Sequence, residues 1–329
     1  MNVRLVASSV LVLLLSHSVS GQQMPRGVDD TGAPAGVTAD GSNVSKQKLM
    51  HRIAVQEEAV RQAESAHATN VQLGRTYERL GLSYQDAAEW NRAEPVLEHA
   101  VLLLRRTAGA DADLATAISQ LATLHVLMRK LREGEREGQE ALKIRQDLGD
   151  QLQIARSRND LAILYMAKEK YAKARDLARQ AEAEFMTNER ANPLDRITAR
   201  FTLAEALCAL KECPSVIPTL KEALDEAKVA LHPDDFPLGL STFLLGYAYW
   251  KSGRMSEAED YLKQGTAQMN IQLGWGHPSY LKALRCYAQF LHENQQVEAA
   301  NVVERRIRQA EAVVDVHSMQ TAQGMFGLH

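Results

Sequence analysis

Few residues in this 329-residue chain are of a type that does chemistry, and they are widely spaced. Of the three cysteines, Cys208 and Cys213 lie five residues apart and Cys286 stands alone. Thiols at that separation point to disulfide chemistry only if a turn folds the chain back between them. On a regular helix they stand too far apart to pair, and the alternative is that they pack as small apolar side chains. The histidines fall into no ligand pattern: there is no His-Glu-x-x-His and no Cys-x-x-Cys. A phosphate-cradling glycine loop and a Gly-x-Ser-x-Gly elbow are absent as well. No nucleophile, base and orienting group emerge together, so the sequence offers no catalytic residue, no metal ligand set and no cofactor site. It does offer a stripe of aromatics. Phe243, Tyr247 and Trp250 recur at i, i+4 and i+7, one face of a helix, while Tyr249 occupies the opposite face. A helix apolar all round is either fully buried or binds something.

The elements that must position these residues follow from a repeat. Leu245, Gly246 and Tyr249 share one helical face; Ala258, Leu262 and Gly265 lie on a second helix. Between them Gly253 stands where a helix ends in a left-handed residue. Ser256 and Glu259 have the spacing of a capping box for the second helix. The same grammar starts at Leu80, Leu121, Leu161, Leu203 and Tyr287, giving spacings of 41, 40, 42, 42 and 42 residues. So regular a period marks an array of helical hairpins, each of which buries its apolar face only by stacking on its neighbours. Small residues such as Gly134, Gly138, Gly246 and Ala258 let the paired helices approach closely. His125 takes the place of the usual tyrosine in the second hairpin and is expected to pack there.

The Leu-Gly/Ala-x-x-Tyr signature with a small residue nine positions later resembles the tetratricopeptide repeat. The long period, and the loop Leu273-Gly274-Trp275-Gly276-His277-Pro278, are similar to the kinesin-light-chain type of that repeat. The resemblance covers roughly residues 69–312. It implies an all-α, right-handed solenoid of six hairpins with capping helices, whose first helices line a concave groove. It also implies ligand contacts two residues before, two after and five after the leading large residue of each hairpin. Those positions include Phe201, Phe243, Tyr247 and Trp250, and Asn159, whose counterparts in kinesin light chains are similar to peptide-backbone clamps. The expected ligand is a protein or peptide. Arg75, Glu78, Lys282 and Arg285 make the two ends of the groove polar.

The termini complete the reading. Residues 1–20, with Arg4, an apolar run over 5–15 and small residues at Ser18 and Ser20, read as a secretory signal too short to span a bilayer. Residues 21–43 read as a flexible linker, 44–68 as an N-terminal capping helix, 69–312 as the solenoid and 313–329 as a loose tail. The implied location is secreted or periplasmic, with no membrane span after signal cleavage. A net charge of −3 and the absence of a wide basic stripe argue against nucleic acid; the densest basic patch, Arg129, Lys130, Arg132 and Arg136, reads as a solvated helix end. The function expected is an exported scaffold that holds a partner in its groove. The alternative is a structural subunit of an envelope or secretion assembly.

Overall fold

The computed structural model describes residues 41–230 and 236–325. The described residues form thirteen α-helices and no strand. A lone helix, α1 (Gly41–Ser65), precedes six hairpins: α2 (Asn70–Asp86) with α3 (Trp90–Arg105), α4 (Asp111–Leu127) with α5 (Leu131–Leu148), and α6 (Gln151–Ala167) with α7 (Tyr171–Thr187). The last three are α8 (Pro193–Ala209) with α9 (Cys213–Ala230), α10 (Phe236–Lys251) with α11 (Met255–Leu273), and α12 (Pro278–Glu293) with α13 (Val297–Met325). The reading of residues 1–40 as signal and linker lies outside the described residues. The tail expected from residue 313 is instead helical to Met325, because neither proline nor glycine interrupts the sequence before Gly324.

The turns repeat with the hairpins. Ala88, Arg129, Glu169, Lys211, Gly253 and Gln295 each close one hairpin with positive φ, between 57° and 76°. Only the fifth turn uses glycine there, so the left-handed position is set by the array and not by residue type. Helix entry departs from the sequence reading. Ser256 is not a cap: α11 opens after Arg254, which makes no side-chain cap but pairs with Glu257. The capping boxes are Thr69 with Gln72 and Asn192 with Asp195. Pro193 and Pro278 are the first residues of their helices, where the missing N–H is not needed.

The fifth hairpin is closed by its small residues. A β-carbon at Gly246 would come within 2.6 Å of the Leu262 backbone nitrogen, and one at Gly265 within 2.5 Å of the Phe243 backbone nitrogen. Between hairpins the apolar core runs on as a spine. One part joins Ile53 and Val60 of α1 to Leu80, Leu97 and Leu121; a longer one runs from Val126 to Ile307. A polar ladder fixes the stacking. Tyr84 donates to Glu57 at 2.6 Å and Tyr165 to Glu135 at 2.7 Å, while His125 bonds Glu94 at 3.1 Å. In each case the side chain four after the leading residue meets a glutamate on the second helix of the preceding unit. α1 supplies Glu57 in this way, and so docks against α2 as the second helix of one hairpin docks against the next.

Candidate partner-binding groove

The inner side of the array follows from which helices touch. The first helices pack directly against one another along α2, α4, α6, α8 and α10, whereas consecutive second helices make no comparable contact, so the array curves with its first helices inside. The curvature is strong enough that α1 meets α11, and that Lys282 on α12 lies within electrostatic reach of Arg129 at the second turn.

The aromatic stripe is placed differently from the sequence expectation. Phe243, Phe201 and Trp250 are 0%, 1% and 4% exposed and belong to the core. The reason is the close hairpin: Gly265 brings α11 onto the backbone of Phe243, and Trp250 is seated edge-on to Phe290 of the next hairpin with ring centroids 5.8 Å apart. The Trp250 indole N–H donates to Glu293 at 2.9 Å, and the Lys251 ammonium sits 3.2 Å above its ring. Tyr247 alone of the stripe keeps partial exposure, and burial raises its hydroxyl pKa. Phe243 and Trp250 of the stripe are therefore packing residues, as is Phe201, and Tyr247 packs half-buried against the same core.

What lines the inner helices instead is polar. Asn159 is 5% exposed, and its side-chain oxygen has no hydrogen-bond partner among the described residues. Gln120, on the neighbouring helix α4, is 1% exposed with neither amide atom partnered. Two arginines span successive first helices in the same way: Arg75 grips Asp113 through two bonds of 2.7 and 2.9 Å, and Arg156 grips Asp195 through two of 2.9 and 2.7 Å. Arg145, buried on α5, donates to Ser157 at 2.7 Å. Glu78 and Asp160 stand beside these arginines without bonding them. Burial, then the charge of Asp113, pushes the Glu78 carboxyl up to about 7 against the pull of Arg79, Arg145 and Arg75. Burial likewise pushes Asp160 up to about 6, against Arg145 and Arg156. At the other end, burial lowers Lys282 to about 8 despite Glu205. Sequence reasoning missed the Arg–Asp clamps. Their signal is an arginine five before one leading residue and an aspartate eight before the next.

Cys208 and Cys213 are joined by a disulfide, with Cα atoms 4.1 Å apart. Lys211, at φ 69°, folds the chain back and the Glu212 amide donates to the Leu207 carbonyl at 2.8 Å, which is what brings the two sulfurs together. Cys286 is a buried free thiol. The described residues hold no group of three or more His, Cys, Asp or Glu side chains that could bind a metal ion. Within them no helix is long and apolar enough to cross a membrane. His125 does more than pack. Its two ring nitrogens lie 2.6 Å from Glu137 and 3.1 Å from Glu94. Burial opposes its charge, but the two carboxylates prevail and raise its pKa.

Comparison with known proteins agrees with this geometry. Residues 73–111 match one tetratricopeptide-repeat family model and residues 113–183 a second. No curated protein matches the chain. Among solved structures it is similar to BtubC (BKLC) from P. vanneervenii, 19% identical over 69% of this chain and 93% of that one, with TM-score 0.53. It is also similar to a Rap protein complexed with competence and sporulation factor, 13% identical over 84% and 77%, with TM-score 0.62. Aspartyl phosphate phosphatase F from Bacillus subtilis is 12% identical over 82% and 70%, with TM-score 0.59. At such identities the likeness is one of fold. The first three hairpins match tetratricopeptide repeats, the last three repeat their turns, and the chain has the fold of a tetratricopeptide-like solenoid.

Proposed function

We propose that the protein is an exported, non-catalytic scaffold that holds an extended peptide segment of a partner protein in the concave groove. Asn159 carries this reading. Its orphaned oxygen sits on the groove-lining helix α6, and an extended backbone N–H is the donor that would satisfy it. That a Rap protein of similar fold was solved with competence and sporulation factor supports a ligand-holding groove. Export is supported by the disulfide across the fourth turn, since such bonds persist in oxidising compartments, and by the short apolar run with small residues before Gly21.

Two measurements test the reading. The full chain and an Asn159→Ala variant are immobilised and exposed to native extract. Loss of the captured partner by a variant that melts normally supports groove binding; equal capture sinks it. N-terminal sequencing of protein recovered outside the cytoplasm is expected to begin near Gly21 or Gln22, and an intact Met1 ends the export reading.

A further inference from the structure

The fourth hairpin alone carries a disulfide, and its turn does not need one. All six turns are closed by the same backbone bond. The amide of Glu89, Lys130, Lys170, Glu212, Arg254 or Gln296 donates to the carbonyl five residues earlier at 2.8–3.0 Å, and the residue before each donor has positive φ. Five of these turns stand with no covalent bond across them. Where the fourth has Cys208 and Cys213, others have apolar pairs that join or pack on the core: Val126 and Leu131, Met166 and Tyr171, Trp250 and Met255. The array itself brings the two positions together, so opening the sulfur–sulfur bond leaves the turn in place. Closing a loop of so few residues also adds little to stability. The two cysteines differ in access. Cys208 is half-buried near the end of α8, a helix of the inner side, whereas Cys213 is 2% exposed. An incoming thiolate therefore meets Cys208 and expels Cys213. Burial disfavours the departing thiolate, but Cys213 is the first residue of α9, and the dipole of a helix start favours it.

We propose that the Cys208–Cys213 bond is a reversible thiol-exchange site, at which a small thiol of the glutathione class becomes joined to Cys208. The thiolate sulfur bonds to the Cys208 sulfur as the Cys208–Cys213 bond breaks. The electron pair leaves on Cys213, which takes up a proton from water. The sulfur of the small thiol is oxidised and that of Cys213 reduced, so no other oxidant or reductant takes part. The intact turn then holds the Cys213 thiol beside the new disulfide. Its attack on the Cys208 sulfur reverses the step and releases the small thiol, with the advantage of a reaction within one chain. Cys286 has no share in this, because it is buried and burial pushes its thiol up to about 12. The exchange needs no peptide in the groove.

The full chain, incubated with a mixture of reduced and oxidised glutathione, quenched with acid, alkylated and mapped by peptide mass spectrometry, tests this. Glutathione is expected on Cys208, with Cys213 as a thiol, Cys286 unmodified and the helical circular dichroism unchanged. Removing the free glutathione by gel filtration is expected to restore the Cys208–Cys213 bond in the parent. In Cys213→Ser, loaded with oxidised glutathione, the Cys208 adduct is expected to persist through the same step. Glutathione on Cys213, no adduct on the native protein, or an adduct that forms only as helical signal is lost would overturn the proposal. So would equal loss of the adduct from the parent and from Cys213→Ser, since Cys213 would then not be the thiol that closes the site.

Discussion

His125 shows how a residue chosen by shape comes to act by charge. With Glu137 on one ring nitrogen and Glu94 on the other, the two carboxylates favour the doubly protonated, charged ring. Lys130 bonds Glu94 and Arg136 pairs with Glu137, so the cluster is alternating in sign. A histidine whose folded pKa is raised stabilises fully below its unfolded value of about 6.5, and the contribution fades as pH rises through the folded value. Glu94, lowered by Lys130 and His125 against burial, acts in the opposite sense and loses its contribution as the solution becomes acid. The stability gap between the parent and His125→Gln is therefore expected to peak near pH 5–6 and to shrink on both sides, which urea unfolding across pH would show. A gap independent of pH would mean a neutral ring. The sequence placed His125 at a buried repeat position correctly. Its charge was hidden because the two carboxylates come from α3 and α5, 31 residues before and 12 after. The aromatic stripe misled for a related reason: periodicity reports that a face is apolar, but what covers it is decided by how closely the next helix sits. Trp250→Ala is accordingly expected to cost roughly 3–5 kcal/mol in urea unfolding, as a core truncation does, and a change below 1 kcal/mol would place Trp250 at the surface.

At the scale of the element, the hairpins were legible because their period, small contact residues and Gly253 turn all appear in the sequence. The caps were less so. Ser256 and Glu259 have the right spacing, yet the turn geometry that ends at Gly253 leaves Arg254 as the cap and puts Ser256 inside the first turn. A spacing rule cannot see where the preceding turn releases the chain. The turns themselves make a prediction. Ala88 has φ 60°, which costs an alanine about 1–2 kcal/mol that a glycine avoids, partly offset by glycine's greater freedom when unfolded. Ala88→Gly is expected to raise stability by about 0.5–1 kcal/mol, whereas Gly265→Ala should lower it by about 1–3 kcal/mol, since its methyl would press on the Phe243 backbone. Thermal melts of the pair in the same buffer would check both signs. The disulfide belongs to this scale too. It closes only a short loop, so Cys208→Ser/Cys213→Ser should cost no more than about 2 kcal/mol.

Across the whole molecule, stability is carried by neighbour-to-neighbour contacts, and the ends are where such an array is weakest. α1 covers the first hairpin with Ile53 and Val60 in the core, and with Glu57 bonded to both Tyr84 and Arg92. Arg52 adds an ion pair to Asp86. Toward the other end, Glu304 stands half-exposed where earlier hairpins have an apolar or small residue, held by His292 and Arg308. Removing residues 41–65 would strip α2 of its apolar cover and leave the Tyr84 hydroxyl without its acceptor. Because that loss is felt through successive interfaces, it should decay along the chain rather than unfold everything at once. Amide hydrogen exchange of the shortened protein is expected to show protection lost most strongly in α2 and α3, less in α4 and α5, and little in α8 and α9. The contact between α1 and α11 sharpens the test. If that contact matters to stability, α11 loses protection out of sequence order together with α2. A uniform loss over all six hairpins would mean instead that the solenoid unfolds as a single unit, and nearest-neighbour stacking would no longer describe it.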